Sequence, residues 1–242
     1  MQISLQDKIV FITGGTGTLG RIFSRLALRD GAKVFFTYFQ NKTEADALEK
    51  EGARGFAFDS SGENGIEKIK DEIKNAAGRI DILVNNAGAT ANGKIGTLSG
   101  SDWDKVIDVN LSSVFRVTRA FLPLLYRSEK GRILNVASRL GVRGGAGASN
   151  YAAAKAGLMA FTRSLAMEVG RKGILVNALN PGFMISGMTK DVPEEIKQRH
   201  IKESVLGVHG NPEEIAHFMM YILSDHCRSV SGQIFNYDSR IL

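Results

Sequence analysis

The chain carries a single cysteine, Cys227, among 242 residues. One thiol excludes an internal disulfide framework and a cysteine-based metal site. Proline is almost as scarce, at four residues. With neither proline nor a repeat, the sequence is not collagen-like and not a low-complexity linker. No segment approaches the roughly 18 consecutive apolar residues of a membrane helix, so no membrane partner is expected. The start, Met1 to Lys8, has no basic stretch leading into an apolar run. A secretory signal is therefore not expected, and a cytoplasmic protein is. No block of five like charges occurs, and 31 basic residues are scattered among 25 acidic ones. The pI near 9.4 then reads as a mildly basic solvated surface, with no nucleic-acid partner expected.

Hydrophobic residues make up 43% of the chain, enough to bury a core and to exclude disorder. Glycine is in excess, at 27 residues, against an average of about 7%. So many glycines among regular elements point to backbone that comes close to something.

Short apolar runs alternate with helical patterns. Strands are expected over 9–12, 33–38, 54–59, 80–84, 132–137, 174–179 and 232–237. Helices are expected up to Arg29, then over 42–51, 63–77, 102–126, 149–170, 193–203 and 212–224. Continuous apolar strands alternating with helices specify an α/β fold. The expected architecture is a single domain over 1–242, a Rossmann-type doubly wound parallel sheet with helices on both faces. Such sheets bind ligands beyond the carboxyl ends of their strands.

The first strand runs into Thr13-Gly14-Gly15-Thr16-Gly17-Thr18-Leu19-Gly20. Gly15, Gly17 and Gly20 make G-x-G-x-x-G between a strand and a helix, the setting a dinucleotide fingerprint requires. Gly14, Thr16, Gly17, Thr18, Leu19 and Gly20 are the candidate contacts to a pyrophosphate at the helix N-terminus. The second strand ends Thr37-Tyr38-Phe39-Gln40-Asn41-Lys42, with no acid before Glu44. NAD sites place an acid here for the ribose 2′-OH. Its absence favours NADP(H) over NAD(H), with Phe39 and Lys42 as candidate contacts. Lys42 either pairs with a 2′-phosphate or is a solvated cation opening a helix. Asp59, followed by Ser60, closes the third strand. It either accepts from an adenine amino group or caps the next helix. Asn86, Ala87 and Gly88 follow the fourth strand, where small residues let a ribose and nicotinamide lie flat. Turn chemistry is the other reading of those asparagines.

Tyr151 and Lys155 stand one helical turn apart, on one face. A lysine cation there is expected to favour the phenolate and lower the tyrosine pKa, making an acid–base of it. Ser138 follows the fifth strand, where its hydroxyl can hold a carbonyl oxygen. A glycine-rich loop, 141–147, connects Ser138 to Tyr151 and is the expected substrate entry.

With these motifs in this order, the sequence resembles the short-chain dehydrogenase/reductase family along essentially its whole length. The resemblance implies that Asn110, Ser138, Tyr151 and Lys155 form a catalytic tetrad. It implies that Asp59 meets adenine, and that Pro181-Gly182, with Met184 and Ser186 beyond, meets the nicotinamide. Asn150 to Leu158, Pro181-Gly182-Phe183 and Pro212 to Ala216 look most like bacterial beta-ketoacyl-(acyl carrier protein) reductases. The implied reaction is hydride transfer from NADPH to the ketone of a 3-oxoacyl thioester, a carrier-protein-bound or small-molecule acyl substrate. Tyr151 would donate the proton, Ser138 would hold the oxygen, Lys155 would bind the ribose, and Asn110 would position a relay water. A homotetramer built on the two long helices and the last strand is also implied.

The departures are specific. Thr18 and Gly17 stand where relatives often carry glycine and arginine. Ser186 replaces a threonine, and Asp238-Ser239-Arg240 replaces the usual Asp-Gly-Gly. Arg139 and Arg143 lie on the substrate side, either meeting an anionic group or serving as ordinary loop cations. The alternative activity is oxidation of a sugar, polyol or other secondary alcohol by the same fold. A non-catalytic dinucleotide sensor would have no use for the tetrad.

Overall fold

The computed structural model describes residues 3–61, 65–187, 189 and 192–240. Seven strands form one sheet: β1 (Ile9–Ile12), β2 (Lys33–Tyr38), β3 (Arg54–Ala57), β4 (Ile82–Asn85), β5 (Arg132–Val136), β6 (Leu175–Asn180) and β7 (Ile234–Asn236). Their order is β3-β2-β1-β4-β5-β6-β7, and every pairing is parallel. Nine helices connect or flank them among the described residues. These are α1 (Thr18–Arg29), α2 (Lys42–Lys50), α3 (Ile66–Ala77), α4 (Gly100–Ile107), α5 (Ser113–Leu125), α6 (Leu140–Arg143), α7 (Ser149–Val169), α8 (Glu194–Glu203) and α9 (Pro212–Leu223). The expected doubly wound parallel sheet is therefore observed. Residues 63 and 64, expected to open the third helix, lie outside the described set.

The strands read as unbroken apolar runs because both faces of the sheet are covered. Val10, Ile12, Val34, Phe36 and Val84 point to one face, against Phe23 and Ala27 of α1 and Met219 and Leu223 of α9. Ile9, Phe11, Phe35 and Leu83 point to the other, against Ile69 and Ile73 of α3 and Phe121 of α5. Phe11 and Phe121 stack at 4.2 Å between ring centroids. Burying side chains of this size contributes about 1.5–3 kcal/mol each, so the central strands are held firmly in register. Among the described residues no helix is long and apolar enough to cross a membrane.

Two expected elements differ. The helix foreseen over 102–126 is divided by a π-helical turn at Asp108–Ser112. There the Asn110 amide and the Ser113 hydroxyl each donate to the carbonyl four residues back, at 2.8 Å. Side chains competing for backbone carbonyls widen the helix locally. The third strand ends at Ala57, short of Asp59, because Asp59 turns out of the sheet to accept from Ser61.

Strand order reverses between β1 and β4, with α1 and α5 packed on opposite faces, so the topological switch point lies at the sheet's carboxyl edge between these strands. The loops after β5, β6 and β7 open on the same edge.

Candidate active site

The turn after β1 is shaped by contacts that exclude side chains. Gly14 has φ +66°, and a Cβ on it would stand 2.9 Å from Ala87 Cα. A Cβ on Gly15 would meet Phe36 at 2.6 Å, and one on Gly20 would meet the Gly14 carbonyl at 2.4 Å. Two threonines brace the turn. Thr13 Oγ1 accepts from the backbone N–H groups of Asn86 and Ala87, both at 3.0 Å. Thr37 Oγ1 accepts from Gly14 N–H at 3.2 Å. The Asn86 amide donates to the carbonyls of Thr13 and Gly14 at 3.1 and 2.9 Å. The loops after β1 and β4 are thus tied together across the switch point.

Gly17 precedes α1 and offers no side-chain cap to its first turn. The N–H groups there remain directed outward, as an anion-binding helix start requires. Leu19 places its side chain in the core, so only its backbone faces the crevice. Thr16 is half-buried and Gly17 exposed. Thr18 Oγ1 accepts from Gly187 N–H at 3.3 Å, which ties the loop after β6 to this helix start. The fingerprint residues fit a dinucleotide pyrophosphate.

On the adenosine side Phe39, Lys42 and Asp59 lie exposed at the surface. Lys42 Nζ bonds Asp46 at 2.6 Å as an i,i+4 pair on an exposed face. Glu44 is held by Arg21 at 3.5 Å and Arg25 at 2.8 Å. Phe39 is 59% exposed. Asp59 accepts from Ser61 N–H at 2.8 Å and Ser61 Oγ at 2.7 Å. These bonds, first of all, hold its carboxyl below the usual range. Ser60 offers its carbonyl to Arg116 at 3.0 Å.

The four tetrad positions come from the end of β5 (Ser138), from α7 (Tyr151 and Lys155) and from the π-helical turn (Asn110). Ser138 Oγ accepts from Leu140 N–H at 3.2 Å and is hydrogen-bonded to the Tyr151 side chain. Lys155 is 3% exposed, and its Nζ donates to the Val136 carbonyl at 2.8 Å. Nζ lies 5.6 Å from the centroid of the Tyr151 ring. Asn110 is fully buried. Its amide donates to the carbonyls of Ala89 and Val106, both at 2.8 Å. Its Oδ1 is buried without a hydrogen-bond partner. A Cβ on Gly88 would stand 3.0 Å from that oxygen and 3.9 Å from Lys155 Nζ. Gly88 therefore leaves both groups open to one small space.

The expected electrostatics are corrected here. Burial pushes the Tyr151 hydroxyl up, and the Ser138 bond only partly opposes it. No lowering by Lys155 accompanies it; burial brings Lys155 itself down to about 8, and its ammonium donates to the Val136 carbonyl. An ammonium taken from water with one carbonyl for company releases its proton more readily.

The segment after Ser138 packs on α7 at Gly141, while residues 142, 143, 145 and 146 are exposed. It begins with α6, and a Cβ on Gly141 would strike the α7 backbone at 2.7 Å. Arg139 and Arg143 both meet Glu203 of α8, at 3.6 and 3.0 Å. After β6, Pro181 is buried and Gly182 has φ +75°. The Ser186 N–H donates to Thr189 Oγ1 at 2.8 Å, and Thr189 Oγ1 donates to the Met184 carbonyl at 2.6 Å. Among the described residues no group of His, Cys, Asp or Glu is placed to hold a metal ion.

The family described as short chain dehydrogenase matches residues 8–197. The chain belongs to this family. It is 34% identical over 244 residues to the 3-oxoacyl-[acyl-carrier-protein] reductase FabG of Thermotoga maritima, covering 98% of this chain and 99% of that one. It is 34% identical over 234 residues to the FabG of Escherichia coli, covering 96% of each. Among solved structures it resembles the Pseudomonas aeruginosa RhlG/NADP active-site complex, with TM-score 0.92 and 29% identity over 99% and 98% of the chains. It also resembles a single-substitution form of actinorhodin polyketide ketoreductase with NADPH, with TM-score 0.89 and 29% identity over 96% of each chain. As a short-chain dehydrogenase the protein is an oxidoreductase.

Reading this short-chain dehydrogenase from its sequence missed the bracing hydroxyls of Thr13 and Thr37. Their signal was available: each sits at a strand's carboxyl end, beside the glycine turn or leading out of β2. The engagement of Glu203 and His200 by distant arginines had no local signal.

Proposed function

We propose that the chain, as one dinucleotide-binding catalytic domain over 1–242, reduces 3-oxoacyl thioesters with NADPH. The preferred substrate is borne on an acyl carrier protein. The observation that carries this reading is that Asn110 and Lys155 open on one space beside Gly88, with Tyr151 next to Lys155 and bonded to Ser138. The two FabG relatives support the substrate class.

Bound NADPH would supply the hydride, held by the residues around Gly14 to Gly20, Asn86 to Gly88 and Pro181 to Ser186. Tyr151 is the proton donor. Its raised pKa keeps it protonated at neutral pH, the form a donor to a developing alkoxide needs. Ser138, with one lone pair engaged by Leu140 N–H, turns its own proton toward Tyr151 and the ketone oxygen. Lys155, with a pKa near 8, exchanges protons readily near neutrality, and it is placed to bind the nicotinamide ribose. The open Oδ1 of Asn110 is an acceptor for a water that returns protons to Lys155.

NADPH is favoured over NADH because β2 ends without a carboxylate, and Glu44 is already held by two arginines. A free carboxylate there would repel a 2′-phosphate. A homotetramer is proposed as well. Phe115 of α5 and Met167 of α7 are 49% and 82% exposed, more than isolated core helices would leave in water. The protein acts in the cytoplasm in this reading, without membrane or nucleic acid.

The test is a substrate panel. NADPH oxidation with acetoacetyl thioesters is set against NADP+ and NAD+ reduction with sugars, polyols and secondary alcohols. Turnover of the thioester is the expected result. Alcohol oxidation without any thioester reduction would establish the alternative.

A further inference from the structure

Arg240 stands near the chain's end where related enzymes usually carry glycine, yet it is only 8% exposed. Its Nε donates to both oxygens of Asp238, at 3.0 and 2.9 Å. One terminal nitrogen also bonds Asp238. The other lies 2.7 Å from Nδ1 of His200 on α8. A guanidinium only donates, so Nδ1 accepts and the imidazole carries its proton on Nε2. The His200 ring in turn stacks on Phe183, 4.3 Å between centroids and 27° from parallel.

Both arms reach the same turn. Phe183 directly follows Pro181-Gly182. On the other side, a Cβ on Gly182 would stand 2.9 Å from the Tyr237 carbonyl and 3.1 Å from Asp238 Cβ and Cγ. The tail is fastened beside this contact. The Ser204 and Ser239 hydroxyls bond each other, and Val205 N–H donates to the Ser239 carbonyl at 3.1 Å.

We propose that Arg240 is a positioning residue for the nicotinamide end of the cofactor site, fixing the Pro181-Gly182-Phe183 turn through Asp238 on one side and the His200–Phe183 stack on the other. This deepens the reductase reading and rests on its placing the nicotinamide at that turn. Arg240 itself touches neither hydride nor proton.

The His200 arm makes the grip sensitive to pH. Arg240 faces His200 from the tail, Arg199 and Glu203 from α8, and Arg139 from the segment after β5; Asp238 and Arg143 act on this set through Arg240 and Glu203. Burial first, then Arg240, hold the imidazole below the usual histidine range. Protonating it sets a donor against a donor and breaks the bond. The grip is present when His200 is neutral and is lost as the pH falls through its depressed pKa.

The experiment is calorimetric titration of the full chain with NADP+, at about pH 8 and about pH 5, with melting curves beside it. Arg240→Ala is expected to weaken NADP+ binding about tenfold at the higher pH, the usual effect of losing a charged hydrogen bond. Arg240→Lys, which keeps the charge but not the fork, should recover part of that. His200→Asn places an amide oxygen near the Nδ1 position, an acceptor that does not titrate. The unsubstituted chain should lose more affinity toward pH 5 than His200→Asn does. Unchanged affinity in a folded Arg240→Ala variant overturns the proposal, as does equal acid loss in His200→Asn. If Arg240→Ala does not fold, the comparison with His200→Asn decides alone. A chain that binds NAD+ but not NADP+ overturns the NADPH preference, and the same comparisons are then made with NAD+. A chain that binds neither overturns the reductase reading and this role with it.

Discussion

Burial moves the Tyr151 hydroxyl up and the Lys155 ammonium down to about 8. The lysine shift is also a stability effect. Between about pH 8 and the ordinary lysine value of 10.5, the unfolded chain holds the proton and the folded chain does not. Stability therefore rises with pH through that window, and the full cost of the buried charge is present below it. Lys155→Met removes the charge. It should raise neutral stability by on the order of 2–3 kcal/mol, less what the lost bond to Val136 contributed. The gain over the unsubstituted chain should shrink as pH rises toward 10.5, read from urea unfolding midpoints. Activity should vanish throughout. A Lys155→Met chain that is less stable at neutral pH than at high pH, relative to its parent, would contradict this account. The positions of Tyr151 and Lys155 were legible from their four-residue spacing. Their pKa shifts were not, because burial is a property of the folded chain and the Val136 carbonyl comes from β5, 19 residues before Lys155.

The glycine turn between β1 and α1 shows what an element demands of single positions. Thr13→Val would leave the N–H groups of Asn86 and Ala87 without their acceptor. Each loss costs about 1–3 kcal/mol where water cannot substitute. Thr13→Val should lower the urea midpoint and weaken NADPH binding together; an unchanged midpoint would mean that solvent reaches those groups. Gly20→Ala should abolish cofactor binding, because its Cβ would stand 2.4 Å from the Gly14 carbonyl. Gly96→Ala, with nothing within 4 Å, is the silent control in the same fluorescence titration. The strand–glycine–helix pattern made this element readable in advance. The π-turn at Asp108–Ser112 was not readable. Apolar periodicity reports which face of a helix is buried, and it says nothing of a side chain that takes the carbonyl four residues back.

Across the whole molecule, the carboxyl ends of the strands gather the loops and helix starts that carry most of the expected site residues. Alternating apolar runs and glycine stops determine that arrangement, so the sheet and its functional edge could be read from sequence. Long-range charge pairing could not: Glu203 meets Arg139 and Arg143 only because α8 folds back over the loop after β5. Assembly belongs to this scale too. Sedimentation should find a species at four times the 26.3 kDa of one chain. Phe115→Glu with Met167→Glu should drive it to smaller forms, whereas a native monomer would refute the tetramer. The central claim concerns chemistry, and one assay reaches it most directly. NADPH oxidation with an acetoacetyl thioester is followed for the unsubstituted chain and for Tyr151→Phe, with NADPH binding measured on both. The account predicts turnover by the first, at least a hundredfold less by the second as expected for a lost general acid, and equal NADPH binding. Retained turnover in Tyr151→Phe, or none in the unsubstituted chain, would contradict it.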